Sequence, residues 1–141
     1  MADSSTASHL HPSVSDIHRP RRLPVGAEFQ GSETTDFRVW APVAATVSVV
    51  LASGQRFALH NEGNGYYRGT AEAMPGTRYQ FQVGTDERLY PDPASRYQPE
   101  GPHGPSEIVD PSRFQWTDDA WRGVSLPGQV LYELHVGTFT P

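Results

Sequence analysis

The sequence contains no cysteine, which excludes disulfide stapling, zinc–thiolate sites and thiol catalysis together and leaves the fold to its core. Positive charge is scarce as well. Lys and Arg number 11 against 16 Asp and Glu, for a formal net charge of -5. That balance argues against a phosphate-neutralising surface, so neither nucleic acid nor an anionic membrane is an expected partner. No stretch approaches the roughly 20 apolar residues of a membrane span. The opening Met-Ala-Asp-Ser-Ser-Thr-Ala-Ser has neither the basic start nor the apolar run of a secretory signal, and a cytoplasmic protein is expected. There is no P-loop, no G-x-S-x-G elbow and no H-E-x-x-H. Gly63-Asn-Gly-Tyr-Tyr-Arg-Gly misses the dinucleotide fingerprint because Arg68 stands where its third glycine belongs, and a hairpin turn explains it.

What is abundant points to short strands. The chain has 13 Gly and 13 Pro, and hydrophobic residues make up 36%, a composition of many strands and turns rather than long helices. Residues 1–22 are Ser-rich and aperiodic and read as a disordered tail. His9, His11 and His18 lie there, but a flexible tail would lose its entropy on chelation, so no metal is expected. From Leu23 short runs alternate. Phe37, Val39 and Ala41 oppose Arg38 and Trp40; Val47, Val49 and Leu51 precede a turn at Ser53-Gly-Gln; Phe57 and Leu59 follow it; Tyr79, Phe81 and Val83 alternate against Arg78, Gln80 and Gln82. About seven such runs, each bounded by Gly or Pro, predict an all-β, immunoglobulin-like antiparallel β-sandwich over 23–90.

From Pro91 a Pro-rich stretch cannot keep a ladder, so 91–128 reads as an extended connector, with Phe114, Trp116 and Trp121 as the expected buried pins. Asp92, between two prolines, is expected to accept backbone hydrogen bonds rather than to do acid–base work. The apolar run at 130–136, closed by Gly137, reads as a strand buried on both faces. Such strands belong to parallel sheets, whose crossovers need a dozen or more residues. Only five residues follow Val136, so the run is expected to begin a larger domain and, without neighbours, to be exposed or packed makeshift against the sandwich.

Glu28, Asp92, Asp118, Asp119 and Glu133 form no recognisable pair across a sugar, and no catalytic residue is assigned. Exposed aromatic faces can stack on sugar rings, and Trp40, Tyr66, Tyr67 and Trp121 are the candidates. The alternative is that they fill the core or its seam with a neighbouring domain.

Three strings together resemble one family: Phe37-Arg-Val-Trp-Ala-Pro, the connector from Tyr90-Pro-Asp-Pro-Ala-Ser-Arg to His103-Gly-Pro-Ser-Glu-Ile-Val-Asp-Pro, and Val130-Leu-Tyr-Glu-Leu-His-Val-Gly-Thr-Phe-Thr-Pro. Over residues 23–141 the chain resembles the amino-terminal part of the malto-oligosyltrehalose trehalohydrolases, glycoside hydrolases of the α-amylase superfamily. The first string is shared by many debranching and branching enzymes, whereas the second is particular to the trehalohydrolases. The resemblance implies a carbohydrate-module-like (early-set) sandwich followed by a (β/α)₈ barrel, with 129–141 as the first strand of that barrel, truncated here. It implies hydrolysis of the α-1,4 bond beside the trehalose unit without a cofactor, by carboxylates from later barrel strands that this sequence does not contain. The segment alone is therefore expected to be inactive. In a complete enzyme His135, Thr138 and Phe139, with Gly137, would approach the substrate cleft, unless His135 is a core histidine held by neighbouring backbone. The expected partners are α-glucan, through the parent enzyme, and the missing barrel. The rival readings are a free-standing α-glucan-binding module and a purely structural interaction domain.

Overall fold

The computed structural model describes residues 20–139; the expected tail up to residue 19, with His9, His11 and His18, lies outside the described residues. The chain divides into two compact units, Met1–Pro111 and Ser112–Pro141.

The first unit is the expected antiparallel sandwich. Its strands are β1 (Gly26–Gly31), β2 (Thr34–Trp40), β3 (Val47–Leu51), β4 (Arg56–Gly63), β5 (Tyr66–Glu72), β6 (Arg78–Val83), β7 (Leu89–Tyr90) and β8 (Ser106–Glu107). They hydrogen-bond in the order β1-β2-β5-β4-β3-β6-β7, with β8 also pairing with β6. Strand β4 joins the two layers: residues 56–59 pair with β3, and residues 60–63 pair with β5. The hairpins lie where the turn residues put them. Between β4 and β5, Asn64 and Gly65 have φ of 54° and 81°, the two successive positive values that a tight antiparallel hairpin needs.

The period-2 pattern fills the core. Phe37 and Val49 are fully buried, and Val47, Tyr79, Phe81 and Ile108 are nearly so. Tyr79 is the aromatic hub, edge-on to Phe37 at a centroid distance of 5.0 Å and to Phe81 at 5.8 Å, geometries that the ring quadrupoles favour.

Two boundaries differ from the sequence reading. The first twenty residues of the connector belong to the sandwich: Asp92, Ser106 and Ile108 are buried, and Ile108 exchanges backbone hydrogen bonds with Gly76 and Thr77. Polar side chains supply what the prolines cannot. The Asp92 amide donates to Ser106 Oγ at 3.0 Å, the Asp92 carboxylate accepts from Tyr79 Oη at 2.6 Å and from the Ala94 amide at 2.8 Å, and Arg96 reaches across to the Ala27 carbonyl at 2.9 Å. The aromatic residues expected as pins do not pin it. Phe114, Trp116 and Trp121 are 64%, 70% and 67% exposed; Phe114 and Trp116 pack edge-on against each other instead. At the other end, Arg21 and Arg22, assigned to the tail by composition, are tied to β1 and β2 by ion pairs.

Burial pushes the Asp92 carboxyl above its usual range, against the Tyr79 and Ala94 hydrogen bonds and the Arg96 charge, which favour the ionised form. The folded state thus holds this proton more tightly than the unfolded chain, where aspartate titrates at about pH 3.9. The stability it contributes is complete below that pH and is lost as the pH rises through the folded value. Asp92→Asn is expected to flatten this part of the curve. Urea midpoints at about pH 4 and about pH 7 read the effect, and identical slopes in parent and variant would contradict it.

The second unit, taken by itself, is largely irregular. Its regular elements are a 3₁₀ turn that begins at the boundary, Pro111–Arg113, and one helical turn, Val136–Phe139. The strand expected at 130–136 is not formed: residues 129–135 have no regular structure, and Val130 and Leu131 are 89% and 95% exposed. A parallel strand is held only by neighbouring strands, and among the described residues none pairs with it.

Candidate functional site

Strand β2 builds the site by alternation. With Phe37 and Val39 turned into the core, Asp36, Arg38 and Trp40 fall on the opposite face. The register places Arg38 opposite Arg68 and Trp40 opposite Tyr66 on β5. Two arginines across a ladder repel, and carboxylates resolve the conflict. Glu62 accepts from Arg38 Nε at 2.6 Å and lies 3.7 Å from Arg68 Nη1. Asp36 accepts from Arg68 Nε at 2.9 Å and pairs on its other oxygen with Arg21 Nη1. Asp36 and Arg21 are 1% and 7% exposed as side chains.

Arg21 arrives on a strap at 20–25, which it fastens by donating to the carbonyls of Leu23, Asp36 and Gly26. Glu28 holds the strap from β1, accepting from the Arg22 and Leu23 amides at 3.1 Å. Burial alone would raise the Glu28 pKa, but these two amides, with Arg21 and Arg22, outweigh it and hold the carboxylate below its usual value. The same contest at Glu62 ends the same way, through Arg38 and Arg68. Strap and strands border a shallow, open cleft of about 460 Å³, lined by Arg21, Arg22, Leu23, Pro24, Arg38, Glu62 and Arg68.

Beside the cleft stand two of the four aromatic candidates. Trp40 is 56% exposed and donates Nε1–H to the Asn64 carbonyl at 3.2 Å. The approach requires Gly65, because a Cβ there would meet Pro42 Cα at 2.7 Å and Trp40 Nε1 at 3.0 Å. Tyr66 is half-buried, and the Arg38 guanidinium covers one face of its ring, 4.0 Å from the centroid. Tyr67 is not a stacking residue. It is 3% exposed, and its hydroxyl donates to the Ala44 carbonyl at 2.6 Å; successive strand residues point to opposite faces, so Tyr66 and Tyr67 cannot both face outward. Trp121 belongs to the second unit and is exposed there. His135, Thr138 and Phe139 are in that unit too, where Thr138 Oγ1 lies 3.2 Å from His135 Nδ1. His135 is exposed in this unit.

Arg21, Arg68, Asp36, Glu28 and Glu62, which build the cleft, were not singled out from the sequence as site residues. The outward alternation of Asp36, Arg38 and Trp40 was the available signal, but their partners follow only from the register. Among the described residues no cluster of three or more His, Asp or Glu side chains could hold a metal ion, and no helix is long and apolar enough to cross a membrane.

Residues 24–111 match the profile of carbohydrate-binding module 48, the isoamylase N-terminal domain. The chain is 40% identical over 124 residues to the malto-oligosyltrehalose trehalohydrolase of Deinococcus radiodurans, covering 88% of this chain and 20% of that one. It is 43% identical over 112 residues to that of Rhizobium sp. strain M-11, covering 74% and 19%. A solved Salmonella typhimurium structure described as an alpha amylase superposes with a TM-score of 0.70 at 37% identity, covering 84% of this chain and 20% of that one. The chain thus spans about a fifth of the length of these relatives. Its sandwich, ending with the connector's first half just where the family profile ends, belongs to carbohydrate-binding module family 48, the isoamylase N-terminal domain family.

Proposed function

We propose that this chain is the amino-terminal module of a cytoplasmic malto-oligosyltrehalose trehalohydrolase and presents α-glucan to a barrel that carries the catalytic carboxylates. The observation that carries the reading is the 40% identity to a trehalohydrolase, which runs through 88% of the chain. Trp40 supports the glucan part, being a large aromatic face open to solvent and fixed at its Nε1, the property that ring stacking requires. His135, Thr138 and Phe139 would face the cleft of the complete enzyme, and Trp121 is a second, separate stacking candidate.

The enzyme reading is tested by immunopurifying the native protein with an antibody against the sandwich. The expected product is a species several-fold heavier than 15.6 kDa that releases trehalose from malto-oligosyltrehalose. A species near that mass without such activity would refute the reading. Glucan contact is tested by titrating the chain with maltoheptaose. Tryptophan fluorescence is expected to quench in a saturable way and Trp40→Ala to abolish most of the response; a flat titration at millimolar glucan would rule Trp40 out.

A further inference from the structure

The cleft beside Trp40 is unlike a neutral sugar site in its chemistry. A neutral sugar both donates and accepts hydrogen bonds, so a site built for it alternates donors with carboxylates and amides. Here two of the three carboxylates are spent, and Glu62 Oε1 has only Arg68 Nη1, at 3.7 Å, for a partner among the described residues. Asp36 and Glu28 are buried beneath the cleft and bound to Arg21, Arg68 and the strap amides, and Glu62 faces Arg38 at 2.6 Å. The guanidiniums are not all spent. Arg22 is 72% exposed as a side chain and touches Glu28 through Nε at 3.4 Å, and its terminal fork has no partner among the described residues. Arg38 engages Nε with Glu62 and Nη1 with the Pro24 carbonyl, leaving Nη2 without a partner among the described residues. Counting the carboxylates below it, the cleft holds four guanidiniums against three carboxylates, a cationic surplus in a chain whose formal net charge is -5.

Spare N–H donors and a net positive charge outweigh the one open carboxylate oxygen of Glu62 and favour an anionic, acceptor-rich ligand, and guanidinium forks match the oxygens of a phosphoryl group. At about 460 Å³ the cleft lies within the range of small-molecule sites and leaves ample room beyond a phosphoryl group. Arg38 ties it to the aromatic pair, since it lines the cleft and also lies over Tyr66, the cross-strand partner of Trp40. We propose that this cleft binds the phosphate monoester of a sugar, with Arg22 and Arg38 on the phosphoryl oxygens and the sugar toward Trp40. The sugar half rests on the glucan-facing reading above; the phosphoryl half stands on the arginines alone.

Calorimetric titration of the chain with glucose 6-phosphate, inorganic phosphate and maltotriose tests both halves. Glucose 6-phosphate is expected to bind more tightly than either of the others and to weaken as salt rises. Arg22→Gln, at an exposed position where folding is not at stake, is expected to weaken it about tenfold, and Arg38→Gln by at least as much. Binding of inorganic phosphate as tight as that of the ester would overturn the sugar half. Affinity for the ester unchanged by salt and by both variants would overturn the phosphoryl half. The two readings fail separately: saturable maltoheptaose quenching without ester binding defeats only this inference, and ester binding without quenching defeats only the neutral-glucan reading.

Discussion

Phe37→Ala is expected to cost about 3–5 kcal/mol, the usual penalty for emptying a fully buried phenylalanine site. Phe37 has no exposed surface, and its ring meets Tyr79 edge-on at 5.0 Å. Tyr79 cannot follow into the space, because its hydroxyl is anchored on Asp92 at 2.6 Å. The cavity therefore stays largely open, which places the loss in the upper part of the range. Small domains are stable by only about 5–15 kcal/mol, so this one change removes a large fraction of the total. Urea unfolding followed by far-UV circular dichroism should show a clearly lower midpoint, with Phe37→Leu intermediate because it refills part of the volume. A midpoint unchanged in Phe37→Ala would mean that this ring is not the centre of the core.

The core was legible because its signal is local. The alternation of Phe37 and Val39 against Arg38 and Trp40 is set by the strand period, and the Asn64-Gly65 turn by the need for positive φ. What lay beyond local pattern was read less well. Composition placed Arg21 in the tail, yet its guanidinium bonds to Asp36, 15 residues away, a partner that only tertiary register reveals. Proline content made 91–110 read as part of an extended connector pinned only by aromatics further on, although Asp92, Ser106 and Ile108 bury into the sandwich. Tyr66 and Tyr67 were indistinguishable as sugar-stacking candidates until the pairing of β2 with β5 decided which one faces outward. The run at 130–136 has the composition of a doubly buried strand, but among the described residues no strand pairs with it, and composition by itself makes no ladder.

Asp36→Ala should match Phe37→Ala in size for a different reason, and the contrast separates core from cleft. Asp36 is 1% exposed and neutralises two arginines, Arg21 and Arg68. Removing the shared carboxylate leaves the 7%-exposed Arg21 side chain charged and unpaired, and breaking a buried pair from one side typically costs about 3–5 kcal/mol. Arg22→Gln removes one long contact from an exposed guanidinium, and Glu28 keeps the Arg22 and Leu23 amides, so about 0–1 kcal/mol is expected. The local consequences diverge further. Arg21 ties the strap to β2, so Asp36→Ala should release the strap at a free energy well below that of global unfolding, whereas Phe37→Ala loosens the sandwich as a whole. Trypsin, which cuts after arginine, reads the difference under native conditions. Cleavage after Arg21 and Arg22 should accelerate far more in Asp36→Ala than in Phe37→Ala of matched stability, and sugar-phosphate binding should be lost with it. If both variants are cut at the strap at the same rate, Arg21 and Asp36 do not form the latch, and the strap must be held by Glu28 and by Arg38 on the Pro24 carbonyl.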